Sequence, residues 1–327
     1  MKLATLKDGS RDGRLVVVSR NLRYAVTPES YTTMQQALEA WSVAEPVLKQ
    51  CYEALNRGEI SHCFDLQPEM LESPLPRAYQ WCDGSAFLNH GHLIQRAFDL
   101  PPQPEESVPL MYQGASDDFL GPCDDVILPS EEHGIDFEGE FAVVVDEVPM
   151  GCPASQALQY VRLVMLVNDV SLRGFIQREI KSGFGFLQAK PSSSFSPVAV
   201  TPQELGTAWR HGRVCLPLLV SWNHAWFGQP NGGEMSFSFA ELIAHAALTR
   251  RLRAGTIIGS GTVSNVDCEA GSACISERRA IEIIENGQPR TRFMRHGDRV
   301  RLEALDSNGD SVFGAIDQRI TVHPSPN

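Results

Sequence analysis

The sequence is 327 residues long, 43% hydrophobic and 21% charged, with a formal net charge of -12 at pH 7. That length and balance suit a globular chain with room for one large domain and a small one. The negative charge argues against nucleic acid or an anionic membrane as partner, since both select clustered Lys and Arg. A small anionic substrate would then need local help from a metal or a few placed cations. The eight cysteines form no CxxC pair, the opening MKLATLKDGS has no apolar signal region, and runs such as Val161 to Val167 are too short to cross a bilayer. Those features point to the reducing cytoplasm.

In chain order, KLATL and LVVVSR read as two short strands joined by the Asp-Gly turns at Asp8 and Asp12, a hairpin signal. From Met34, apolar residues recur at Leu38, Trp41, Val47, Leu48, Cys51 and Leu55. This spacing predicts a helix capped by Thr32 or Thr33, stopping near Gly58 and kinked or split at Pro46. Pro68, Pro74 and Pro76 mark a boundary. Residues 1–72 therefore read as a small α+β accessory domain without a catalytic motif, and residues 75–327 as a strand-rich domain, giving an α+β, mainly β chain. There is no internal repeat and no glycine-rich phosphate loop.

Candidate chemistry lies in the second domain. The segment YQWCDGSAFLNHGH carries Asp83 and His90; taken singly, an Asp before Gly is more often a turn and a His more often a packed or solvent-facing residue than a catalyst. Ile135 to Asp146, IDFEGEFAVVVD, reads as one strand with Asp136, Glu138 and Glu140 on one face. Second neighbours on a strand are roughly 6.5 to 7 Å apart, so these carboxylates can converge on a hard divalent cation, with Gly139 leaving room for close approach. The plainer alternative is a strand whose wet face is acidic. Tyr160 to Val167 is apolar nearly all round and predicts a buried helix that delivers Asn168 and Asp169 at its end, where an acid calls for a cation. Arg173, Gln177 and Lys190 follow, a set that can bind an anionic substrate and an oxyanion or form a solvated loop. Phe239 to Leu252 predicts a second helix, and LRAGTIIGSGTVS places Thr262 after a Gly-Ser-Gly turn.

Taken in order, D(x6)H, Y-Q-G, ExE, NDxSxR, Q, K and GSGT resemble the fumarylacetoacetate hydrolase family over nearly all of residues 77–322. The resemblance implies a β-sandwich-roll catalytic domain behind a smaller N-terminal domain, working as a homodimer with Mg or Ca bound; Mn also suits such a site. It implies metal ligands Asp83, Glu138, Glu140 and Asp169, and His90 as general base. Tyr112 falls on a substrate-contacting position, and Arg173, Gln177, Lys190 and Thr262 on positions that hold substrate and its developing oxyanion. Gln177 and Lys190 sit one residue further from Asp169 than in fumarylacetoacetase, as a single insertion would produce. Two departures stand out. Ser85 replaces the tyrosine expected after the first aspartate, and the glutamate that orients the histidine falls by strict spacing on Ile275, making Glu277 the candidate with Glu269 behind it.

The implied reaction is hydrolysis of a carbon-carbon bond in a 1,3-diketo acid such as fumarylacetoacetate, a step in aromatic amino acid catabolism. Acylpyruvate hydrolysis and oxaloacetate decarboxylation or isomerisation use the same metal site, and a non-catalytic metal- or ligand-binding scaffold is the reading of another class. Trp209, Trp222 and Trp226 are either dimer anchors or core residues.

Overall fold

The computed structural model describes residues 1–99 and 107–323; the last four positions of the expected 75–327 domain, and residues 100–106, lie outside them. Two β-sheets dominate. The larger has eleven strands, whose main path runs Phe64–Asp65, Tyr24–Val26, Arg14–Val18, Lys2–Leu6, Ala199–Val200, Val161–Asn168, Gly139–Val145, Thr256–Gly259, Trp81–Gly84 and Met111–Gly114, with Ser194–Phe195 paired to Val161–Asn168 off that path. The smaller has five, in the order Ala225–Gly228, Leu218–Trp222, Arg299–Ala304, Ile316–Val322 and Val126–Leu128. The fold is α+β and mainly sheet.

Strand alternation sorts the side chains of the large sheet into two cores. Phe141, Val143 and Val145 pack with Leu218, Val220, Val300 and Leu302 of the five-stranded sheet, while Ala142 and Val144 face Leu163, Met165 and Trp81 on the other side. The helix Trp41–Asn56 closes that second core with Trp41, Ala44, Leu48, Tyr52 and Leu55, a buried stripe at helical spacing. The N-terminal hairpin of Lys2–Leu6 with Arg14–Val18 joins the large sheet through Lys2 opposite Val200, so residues before and after the proline-rich boundary share one sheet.

Several local expectations change. Tyr160 to Val167 is not helical: Val161–Asn168 is a central strand between Gly139–Val145 and Ala199–Val200. A short apolar run with no polar face suits a strand covered on both sides as well as a buried helix, and the β-branched Val161, Val164 and Val167 favour the strand. Asp169 thus follows a strand end, and the helix-dipole argument does not apply to it. Ile135 to Asp146 is two strands, Ile135–Asp136 and Gly139–Val145, because Ile135–Asp136 leaves the large sheet to pair with Ser171–Leu172. Glu138 lies in the gap. The space beside Gly139 is taken by the second sheet, since an added Cβ would meet Leu218 Cδ2 at 2.8 Å.

The first helical stretch breaks at Ala40, giving Met34–Glu39 and Trp41–Asn56, and Pro46 is accommodated inside the second at the loss of one backbone hydrogen bond. The later helix ends at Ala246 rather than Leu252. Trp209 stacks on Phe239 and Trp222 packs on Phe137 and Phe227, whereas Trp226 is 56% exposed. Among the described residues no helix is long and apolar enough to cross a membrane.

Candidate active site

The order of strands in the large sheet assembles the site. Val161–Asn168, Gly139–Val145, Thr256–Gly259, Trp81–Gly84 and Met111–Gly114 lie side by side, and their registers set Glu140 opposite Val167, Gly259 opposite Asp83, and Asp83 opposite Tyr112. Asp169 directly follows the first of these strands. Three acids distant in sequence therefore meet at one end of the sheet, with oxygens of Asp83, Glu140 and Asp169 all within 4.8 Å of one another.

All three are buried. Burial pushes the Asp83 carboxyl up to about 8, helped by the charge of Asp169, and drives that of Glu140 well above the usual range, with Asp83 and Asp169 adding to the effect. Both Glu140 oxygens lack a hydrogen-bond partner among the described residues. A buried carboxylate without a donor is strongly unfavourable as an anion. A hard divalent cation, which takes oxygen ligands, satisfies all three groups at once, so the donor set fits such an ion.

Glycines make the geometry attainable. A Cβ on Gly259 would sit 2.3 Å from Asp83 Oδ1 and 2.3 Å from the Trp81 ring. Gly261 has φ +74° and an added Cβ would meet the Gly84 carbonyl at 2.3 Å, while its own N–H donates to Asp83 Oδ1 at 3.1 Å. The Gly-Ser-Gly turn is thus the cradle of Asp83. Gly259→Ala is expected to displace that carboxylate and abolish cation binding, at a stability cost of about 1–3 kcal/mol for overpacking; a calorimetric titration with Mn and a melting curve check it.

Glu138 lies outside the triad. Its Oε2 accepts from Lys190 Nζ at 2.7 Å and its Oε1 from Arg173 Nη2 at 2.5 Å. Burial acts to raise its pKa, but Lys190 and Arg173 outweigh that and hold it down to about 2. Lys190 also donates to Asp169 Oδ2 at 2.5 Å, and the two acids outweigh burial to keep its ammonium charged. Tyr112 Oη donates to Asp169 Oδ2 at 2.6 Å and Ser193 Oγ to Oδ1 at 2.7 Å. Arg173 is spent between Glu138 and Asp136, the latter 2.8 Å from its Nε. Asp136 further accepts the N–H groups of Ile275 at 2.8 Å and Ser276 at 2.9 Å, capping the helix Ile275–Asn286.

That helix brings Glu277 to His90, which sits on the facing helix Leu88–Ala97. His90 Nδ1 and Glu277 Oε2 are 2.7 Å apart and Glu277 is 1% exposed. The carboxylate assigns the proton to Nδ1 and leaves Nε2 free to accept. Glu269 is exposed in the turn Cys268–Ala270, away from this pair.

A cavity of about 750 Å³ connects these groups, lined by Asp83, Ser85, His90, Tyr112, Glu138, Arg173, Gln177, Lys190 and Thr262 among others. One side of it is formed by the helix Arg173–Ser182 and the loop after it. Here sequence reading missed a residue: Glu179, whose carboxylate accepts the N–H groups of Leu187 at 3.0 Å, Gln188 at 2.8 Å and Ala189 at 3.1 Å, ending the loop at Lys190. Its only sequence signal was an acid at a short distance before Lys190. Glu179→Ala is expected to free three N–H groups, loosen Lys190 and lower turnover about tenfold or more while leaving cation binding intact, which steady-state rates and metal content report; charge-assisted bonds of this kind contribute about 1.5–3 kcal/mol each.

A mainly sheet protein in which a buried acid triad and a carboxylate-held histidine both reach one cavity, through Asp83 and His90, has the architecture of a small-molecule site. The comparisons narrow the class. The model of the fumarylacetoacetate (FAA) hydrolase C-terminal domain matches residues 80–321, and that of fumarylacetoacetase N-terminal domain 2 matches residues 1–77. The chain belongs to the fumarylacetoacetate hydrolase family. Similar curated proteins include a 2,4-didehydro-3-deoxy-L-rhamnonate hydrolase of Sphingomonas sp., 28% identical over 68% of this chain and 73% of that protein, and a mitochondrial oxaloacetate tautomerase of Homo sapiens, 26% identical over 50% of this chain and 51% of that one. Among solved structures, a putative HpcE protein from Mycobacterium smegmatis shares the fold at TM-score 0.68 and 19% identity, covering 98% of this chain and 99% of its own. Maleylpyruvate hydrolase from Sphingobium sp. SYK-6, solved with manganese and pyruvate, does so at TM-score 0.65 and 17% identity, covering 98% and 99%.

Proposed function

We propose that this chain is a metal-dependent hydrolase that cleaves the carbon-carbon bond of a 1,3-diketo acid, with a water activated by His90 as nucleophile. The observation that carries the reading is the His90–Glu277 pair at 2.7 Å on the wall of the cavity that Asp83, Lys190 and Thr262 also line. A decarboxylase needs no water-activating base and a hydrolase does, whereas a tautomerase would use the same histidine to carry a proton to and from carbon.

Asp83, Glu140 and Asp169 would hold the cation, with Mg, Ca or Mn all suited to carboxylate ligands. When bound, the ion supplies Lewis-acid polarisation of the substrate's oxygens. Glu277 holds the Nδ1–H of His90, so Nε2 takes a proton as water adds to the carbonyl. Lys190 keeps its charge beside Glu138 and Asp169 and steadies the oxyanion that forms; one such donor is typically worth about 3 to 4 kcal/mol. Gln177 and Thr262 orient the diketone from the cavity wall. The carbon-carbon bond then breaks, the carbonyl half leaves as a carboxylic acid, and the enolate half receives the proton from His90 to give a ketone. Glu138 serves by fixing Lys190 and Arg173.

The test compares cation-loaded protein on fumarylacetoacetate, acylpyruvates and oxaloacetate. Cleavage of a diketo acid with release of two products supports the hydrolase. Turnover of oxaloacetate alone replaces it with the tautomerase or decarboxylase reading.

A further inference from the structure

The cations around the cavity are unequally committed. Lys190 bonds Glu138 and Asp169, and Arg173 bonds Asp136 and Glu138, so the charge of each is already matched by acids of the protein, with a Lys190 N–H left for the oxyanion. Arg279 differs. It stands on the helix Ile275–Asn286 one turn beyond Ser276, and both residues line the cavity. Its Nη1 donates to the Thr291 carbonyl and its guanidinium lies over the Phe293 ring, 4.6 Å from the centroid. No carboxylate pairs with it among the described residues, and Nε and Nη2 have no partner there. Glu132, exposed at the rim of the same cavity, makes no ion pair with it.

Ile94, Phe98, Phe186 and Phe293 give the cavity an apolar surface beside the polar Gln95 and Glu132. A half-buried guanidinium fixed by a carbonyl and an aromatic ring, its fork otherwise free, is preorganised for bidentate binding of a carboxylate. We propose that Arg279 binds a second carboxylate of the substrate, so that the site takes diketo acids carrying an acid group at each end, with the apolar surface against the carbons between. This rests on the hydrolase reading, and supplies the anion contact that Ser85 does not offer in place of a tyrosine.

Two measurements on the cation-loaded protein separate the two ideas. Initial rates on fumarylacetoacetate, with two carboxylates, and acetylpyruvate, with one, are compared for wild type, Arg279→Met and Arg279→Lys. The expected result is a KM for the diacid raised at least tenfold in Arg279→Met with kcat nearly kept, partial recovery in Arg279→Lys, and no change for the monoacid, which also reports that the variant is folded. Fumarate and pyruvate are then titrated calorimetrically into His90→Ala with and without Arg279→Met, and only fumarate binding should weaken. Equal losses for both substrates, an unchanged KM for the diacid, or a wild-type preference for acylpyruvates with apolar chains overturns the proposal. Absence of turnover on every diketo acid sinks the hydrolase reading alone, since fumarate titration still reads Arg279.

Discussion

His90→Ala is expected to lower diketo-acid turnover by about 10² to 10⁴, the usual contribution of a positioned general base, while cation content stays at the wild-type level. The second half follows from geometry: His90 is held by Glu277 and makes no bond to Asp83, Glu140 or Asp169. Glu277→Gln is the finer probe. An amide oxygen can still accept the Nδ1–H, so the ring stays oriented, but the carboxylate's charge no longer stabilises the imidazolium that forms as water is deprotonated. Its kcat should fall between wild type and His90→Ala. Elemental analysis and kcat on one diketo acid check both. Wild-type turnover in His90→Ala would assign the base elsewhere.

The acid triad was legible because its members lie in stretches whose chemistry is local: DG, ExE and ND each advertise a short acidic motif, and the resemblance supplied their convergence. What the strand pattern did not show is which acids meet. Period two put Asp136, Glu138 and Glu140 on one face, but the chain changes sheets between Asp136 and Gly139, so Glu140 converges with Asp83 and Asp169 while Glu138 meets Asp169 through the shared Lys190 ammonium. Glu138 and Asp136 instead anchor Lys190, Arg173 and a helix N-terminus. Pairing partners are set by tertiary order, to which a single sequence is blind. The same holds for Val161–Asn168, where periodicity alone does not separate a doubly covered strand from a buried helix. Glu179 and Arg279 carried no motif at all, since a loop carboxylate and an unpaired arginine become distinctive only once their neighbours are known.

Glu140→Gln is expected to abolish cation binding and yet leave the cation-free protein at least as stable as wild type. Without an ion, Asp83 at about 8 and Glu140 well above the usual carboxylate range retain protons near neutral pH, because burial and mutual repulsion disfavour their charges. The sign follows from linkage. Acids whose folded pKa is raised contribute stability that is fully present below their unfolded value of about 4 and is lost as pH rises through the folded one. The cation-free wild type should therefore lose stability between about pH 4 and pH 8. The amide variant cannot ionise at position 140 and is spared its share of that loss. Adding Mn reverses the order: wild type gains from an ion that compensates three acids, and gives up on the order of one or two protons to the buffer as it binds, while Glu140→Gln gains nothing. Melting curves at pH 5 and pH 8, with and without Mn, and titration heats in buffers of different ionisation enthalpy measure each part. Proton-free binding of Mn, or a variant that still binds it tightly, would show that the triad is not where the cation is held.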